Sequence, residues 1–416
     1  MTQRIFVFFS ALLVFASAAA LSAVSGQEND LLWKYAAGGE LKSRPAVTSE
    51  GRVYIYSEDR RIHALNRRGQ LLWKFRVPGR PADSFALGPD GTVYACNLEG
   101  NLYAVNPAGR NIWRLNTGSP PAGDPSVSGS GTIYLGLKSG KLIAVSHTGK
   151  LRWAVDIGTK PVSSPVVAAG EAVLITDKNG RIFCFTPWGS FLWTKDGQDG
   201  GHEPSVQPRI LAVHQHVLYT AWKREISAFT LDGSLLWQKE LPSDSVSMIV
   251  FNEGLFCILL SGSAVAYDFN GNLQWVKDGQ AFRDFPAATD GGIYLLKGND
   301  TVALLSTEGD PAGEYRKPGA FLGQPVLSGG MMITGSEEWI VYAFSSFSPL
   351  DGLWAQKGGN SSHSGTWGEA PGWFNESIYA ANFDYLYLRE LLDSEDIDRK
   401  KKALAERGER IAADTL

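Results

Sequence analysis

Cysteine is scarce in this sequence: 416 residues contain three, Cys96, Cys184 and Cys257. They are far apart and form no CxxC pair, which excludes a cysteine zinc ribbon and a CxxCH haem attachment. An odd count leaves at least one thiol without an intramolecular partner, and all three read as buried thiols. A strong charge of one sign is also missing. Lys and Arg number 39 against 43 Asp and Glu, a formal net charge of −4. With no long basic block, the chain has little of the attraction that nonspecific nucleic-acid binding needs. No Gly-x-Ser-x-Gly elbow, P-loop or His-Glu-x-x-His segment offers a hydrolase or nucleotide site. The longest apolar run, Ile5 to Ala16, is too short to span a bilayer.

That run has a different use. Arg4 precedes it and small residues from Ser17 to Ser25 and Gly26 follow it, the pattern of an export signal over residues 1–26. An uncleaved signal acting as a membrane anchor has the same pattern. No cysteine lies near the expected cleavage point, so a lipid anchor on an N-terminal cysteine is not expected. The mature chain is expected to be soluble, in the periplasm or outside the cell.

Glycine and tryptophan are abundant, at 46 and 13 residues. Trp33, Trp73, Trp113, Trp153, Trp193, Trp237 and Trp275 recur at steps of 40, 40, 40, 40, 44 and 38, and Tyr315 continues the series 40 residues on. A period near 40 means propeller blades or helical repeats. The local pattern decides, because each unit has four short alternating segments, as in SSPVVAAG, AVLITD, RIFCFT and FLWTKD between Ser163 and Asp196. Turns such as Asp90-Gly91, Lys178-Asn179-Gly180 and Asp232-Gly233 separate them, and helical periodicity is missing.

The fold expected is therefore all-β, an eight-bladed β-propeller of four-stranded antiparallel blades over residues 27–346. Eight sets of strands A, B and C begin near Ser43, Asp83, Ala122, Val162, Val206, Ser245, Arg283 and Leu322. The first tryptophan strand, Leu31 to Tyr35, has no such set before it, and the eighth set has no strand D directly after it. The spare N-terminal strand can pair with Ile340 to Phe344 and close the ring; Leu353-Trp354 is a rival for that place. The repeated aromatics are assigned to the wedges between blades. Residues 347–372 read as an irregular connection and 373–416 as a short C-terminal α-helical extension. One helix is expected over Phe374 to Leu392, and a second is capped by Ser394 with Glu395, Asp396 and Asp398 in its first turn.

The segments Arg44–Trp73, RPAVTSEGRVYIYSEDRRIHALNRRGQLLW, and Asp124–Trp153, DPSVSGSGTIYLGLKSGKLIAVSHTGKLRW, resemble the repeats of the PQQ-like β-propeller family. WAQKGGNSSHSG, from Trp354 to Gly365, is similar to a segment found beside such repeats. The family includes quinoprotein alcohol dehydrogenases and the propeller subunit of the bacterial outer-membrane protein assembly machinery. The resemblance covers about Leu31 to Ser345, and it implies an architecture more firmly than a chemistry.

In a propeller the loops from strand D to the next strand A reach the central axis. Just before each A-strand proline, or its equivalent, stand Arg44, Ser84, Asp124, Ser164, Gln207, Phe285 and Gln324, with Asp83 and Asp284 one position earlier. The extra length between Trp193 and Trp237 falls in the loop Asp196 to Pro208, which holds Asp199 and Glu203. Arg44, Asp83, Asp124, Asp199, Glu203 and Asp284 are thus the candidate partner-binding residues. His214 and His216 could share a metal, but no third ligand is evident, and no metal, cofactor or catalytic residue is assigned. The function expected is a non-catalytic exported scaffold that binds protein partners, similar to the outer-membrane assembly subunit. Two alternatives stay open. One is a PQQ- and calcium-dependent oxidoreductase, whose metal would draw on Asp83, Asp124 and Asp284 although the adjacent cysteines of many such enzymes are missing. The other is a propeller that senses a small molecule or glycan.

Overall fold

In the computed structural model, the described residues are 24–25, 31–41, 44–48, 50–168, 172–196, 210–251, 254–289, 292–316, 320–328, 330–346 and 366–367. Every repeat folds as its punctuation dictates. In blade 3, Ser126–Val127, Ile133–Gly136, Lys141–Val145 and Leu151–Asp156 pair in chain order as an antiparallel meander. Seven such four-stranded meanders follow one another around the ring, and the eighth blade takes its fourth strand from the N-terminus. The turn glycines take the left-handed conformation that tight turns require, as at Gly91, Gly180 and Gly233 (φ +77°, +75° and +87°).

The ring closes through the N-terminal strand. Leu31–Ala36 runs antiparallel to Ile340–Ser345, with Trp33 opposite Ala343 and Ala36 opposite Ile340, and so supplies the outer strand of blade 8. Leu353-Trp354, the rival for that place, lies outside the described residues, as do the two expected C-terminal helices and the loop carrying Asp199 and Glu203. Two further pairings extend single blades. Val24–Ser25, at the end of the expected export signal, runs parallel to the outer strand of blade 7, and Thr366–Trp367 runs parallel to the inner strand of blade 5.

The core lies in the seams between blades. One cluster joins Tyr54, Tyr56 and Ile62 of blade 1 to Phe85, Val93 and Tyr103 of blade 2. Another joins Ile55 of blade 1 to Val326 and Ile333 of blade 8. Middle strands such as Val53–Ser57 and Val93–Asn97 are buried at every residue, because a neighbouring sheet covers both faces. Outer strands alternate, with Leu71, Leu72, Lys74 and Arg76 exposed and Trp73 and Phe75 turned into the seam.

The tryptophans do more than fill those seams. All seven donate their indole N–H to a carbonyl in the last turn of the next blade, at 2.7–2.9 Å, as Trp153 does to Pro187. Each ring also lies over the left-handed glycine of that turn. A Cβ added at Gly189 would sit 2.7 Å from the Trp153 ring. A short sequence unit, the turn glycine followed four residues later by tryptophan, thereby fastens each of blades 1 to 6 to both neighbours. Tyr315 replaces the indole at the last seam, where its hydroxyl donates to the Ser345 carbonyl at 2.8 Å. The three cysteines are buried and form no disulfide, and burial pushes the Cys184 thiol up to about 12.

Candidate functional site

The inner strands of successive blades stand side by side around the axis, and the entrances of blades 1, 2, 3, 4, 7 and 8 share a defect in pairing. In blade 3 the Pro121–Leu137 bridge is followed by Ser126 opposite Tyr134, so four residues, 122–125, face only two on the neighbouring strand. Blades 1 and 4 repeat this between Leu41 and Ala46 and between Pro161 and Val166. In blades 2, 7 and 8 three residues face one, at 82–84, 284–286 and 323–325. Such a bulge unpairs its backbone and re-aims its side chains. The prolines at 45, 125, 165, 286 and 325 fit there because a bulge asks for fewer ladder donors.

Arg44, Asp83, Asp124 and Asp284 all fall in these bulges. Asp83 and Asp284 were expected in loops; the backbone instead places them inside the strands Pro81–Leu87 and Phe282–Thr289. Pairing resumes on the near side of each bulge, at Pro81 and at Phe282 and Arg283, so the strands begin slightly before the starts near Asp83 and Arg283 read from the sequence. In blade 5 the described part of the inner strand pairs without interruption from Ile210 opposite Ala221 to His214 opposite Val217; the start near Val206 read from Gln207-Pro208 lies outside the described residues.

The structure brings two of the six candidates together. The Arg44 guanidinium lies 3.6 Å from the Asp124 carboxylate, and that pair reaches from blade 1 to blade 3 past the entrance of blade 2. Asp124 is buried and Arg44 half-buried. The backbone N–H of Asp124 donates to the Ser164 hydroxyl of blade 4 at 2.9 Å, and the Ser126 hydroxyl donates to the Pro165 carbonyl. Close approach explains Gly123 beside it, where an added Cβ would meet the Ser164 backbone nitrogen at 2.7 Å. Ser164, Gly123 and Ser126 therefore belong to the same constellation. The sequence signal for them was their place next to the repeated proline, which singled out Asp124 by its charge and passed over its small neighbours.

This arrangement suits recognition by polar contacts better than metal binding. A guanidinium 3.6 Å from Asp124 opposes a divalent cation at that carboxylate. Among the described residues no group of three or more His, Cys, Asp or Glu side chains stands close enough to hold a metal ion. His214 and His216 sit at the hairpin of blade 5; the His214 ring stacks on Phe269 of blade 6 at 4.6 Å, and burial lowers its pKa. A cavity of about 130 Å³ opens between blades 2 and 3, lined by Leu115, Leu137, Ile143, Leu151 and Ala154 with Lys141 beside them, and it is chiefly apolar.

The family described as outer membrane protein assembly factor BamB matches residues 4–108 and 98–306. The chain belongs to this family. Among solved structures, BamB from Moraxella catarrhalis superposes with a TM-score of 0.65 at 16% identity, covering 76% of this chain and 99% of that one. The computationally designed Ika8 protein superposes equally well, at 13% identity over the same shares. No curated protein matches. At these identities the likeness shows the fold alone, so function must be read from what is particular to this chain.

Proposed function

We propose that this protein is a non-catalytic, exported scaffold that recruits protein partners in outer-membrane protein assembly, with the bulged entrances of its inner strands as the recognition face. Membership of the BamB family supports the process. The observation that carries the choice of face is the Arg44–Asp124 pair joined to Ser164. Three blades there contribute three different side chains at equivalent positions, whereas the seams repeat the same indole contact. Recognition of one partner needs an asymmetric pattern, and variable positions on a rigid repeated frame supply it. Charges at such a face act mainly on specificity and association rate.

The test uses site-specific crosslinking in intact cells, with partners identified by mass spectrometry. One variant changes Arg44, Asp83, Asp124, Asp199, Glu203 and Asp284 to Ala or Ser; another ends at Gly372. The loop-face variant is expected to lose its envelope partners while the shortened chain keeps them. The opposite result assigns recognition to the segment after Gly372.

A further inference from the structure

At one register the closing seam holds a polar cluster where the next three seams are apolar. His63, on the third strand of blade 1, has no exposed surface. Its Nδ1 lies 2.8 Å from the Tyr35 hydroxyl on the closing strand, and its Nε2 lies 3.0 Å from Asp59 Oδ2. The other Asp59 oxygen accepts from the Ser57 hydroxyl at 2.6 Å and from the Arg61 backbone N–H at 2.9 Å. The turn carrying Asp59 packs on the turn that ends the closing strand. The Glu58 N–H donates to the Glu40 carbonyl at 2.8 Å, and an added Cβ at Gly39 would stand 2.8 Å from the Asp59 nitrogen.

At the corresponding register the next three seams hold Phe75 with Tyr103, Leu115 with Ile143 and Val155 with Phe183, all within apolar clusters. Tyr35 with His63 thus replaces an ordinary apolar contact at the seam where the chain's first blade strand meets blade 1. Hydrogen bonding fixes the tautomer. Asp59 is an acceptor held as a carboxylate, so Nε2 carries the proton and donates to it, leaving Nδ1 to accept from Tyr35. The ionisable groups about the ring are Asp59 from the preceding turn, Arg61 on its own strand, Lys74 opposite it on the outer strand and Tyr35 from blade 8.

We propose that His63 is an acid-sensitive clasp on the ring closure: a proton added at Nδ1 removes the acceptor that holds Tyr35 and frees the closing strand Leu31–Ala36 from blade 1. The second proton puts an N–H against a hydroxyl that was donating, and it places a cation on a ring with no exposed surface, beside Lys74 and Arg61. Burial accordingly holds His63 below its ordinary value of 6.5, against the opposing pull of Asp59. The unfolded or detached state therefore binds more protons than the closed state below pH 6.5, and closure weakens as pH falls through that region.

Hydrogen exchange on the full chain, corrected for intrinsic rates and followed between about pH 8 and pH 5, reads this directly. Amides of Leu31–Ala36 are expected to lose protection several-fold on acidification while those of Leu151–Asp156 keep theirs. Two variants remove the titration. His63→Phe installs the kind of side chain that Phe183 supplies in blade 4, and His63→Gln keeps a donor for Asp59 and an acceptor for Tyr35. Both are expected to abolish the acid response. An acid response that persists in either folded variant, or its lack in the unaltered protein, overturns the clasp.

Discussion

At the residue scale, each indole of the repeat carries two separable contributions. Trp153 fills the wedge between blades 3 and 4, and its N–H meets the Pro187 carbonyl at 2.8 Å. Trp153→Ala is expected to lower unfolding stability by about 3 kcal/mol, toward the low end of aromatic-to-alanine losses in cores because the side chain is only half-buried. Gly189→Ala attacks the same contact from the other side. Its φ of +82° is disfavoured with a side chain, and the new Cβ would stand 2.7 Å from the indole. Because both changes break one contact, the double variant should lose less than the sum of the single losses. Denaturant titration of the four proteins checks this, and strict additivity would show that ring and glycine do not act on each other.

At the scale of the strand, the N-terminal segment Leu31–Ala36 decides whether the ring is a ring. It covers the edge of Ile340–Ser345, places Trp33 in the seam with blade 1 and supplies the hydroxyl that His63 holds. Starting the chain at Gly38 is expected to expose the edge of blade 8 and leave a cleft beside blade 1. A marked fall in the thermal midpoint with new concentration-dependent association is the expected result. An unchanged midpoint would mean that another segment, such as the one containing Leu353-Trp354, can take the vacant place.

Strand identity and closure were legible in the sequence because they rest on alternation, turn glycines and the fixed aromatic period. The Trp33 strand without its own blade, and an eighth set without its last strand, left a definite gap to be filled. The candidate site was less legible. Bulges have no strong composition signal, so Asp83 and Asp284 looked like loop residues, and the pairing that resumes at Pro81 and Phe282 could not be read from local pattern. The Tyr35–His63 contact was equally hidden, since it joins residues 28 apart whose relation depends on the register of two different sheets. His63 in isolation was one histidine among six.

At the scale of the whole molecule, closure changes how stability is shared. An open stack of repeats has terminal units with one neighbour, which fray first. Here every blade has two neighbours, and the apolar clusters run through successive seams, including the one that joins blade 8 to blade 1. Losing any blade therefore exposes two seams, which costs more than either seam alone and makes intermediates with one missing blade unfavourable. Unfolding of the unaltered protein is expected to be a single transition, with tryptophan fluorescence and far-ultraviolet circular dichroism coincident, since seven of the indoles lie in the seams and the strands depend on them. Opening the closing seam by Trp33→Ala should separate the two probes, because blades near the break then acquire a free side and melt ahead of the opposite arc. Trp153→Ala leaves the ring topologically closed and should shift both probes together. Equal separation of the probes in the two variants would show that the closing seam is no different from the others, and that the ring unfolds as a chain of independent blades.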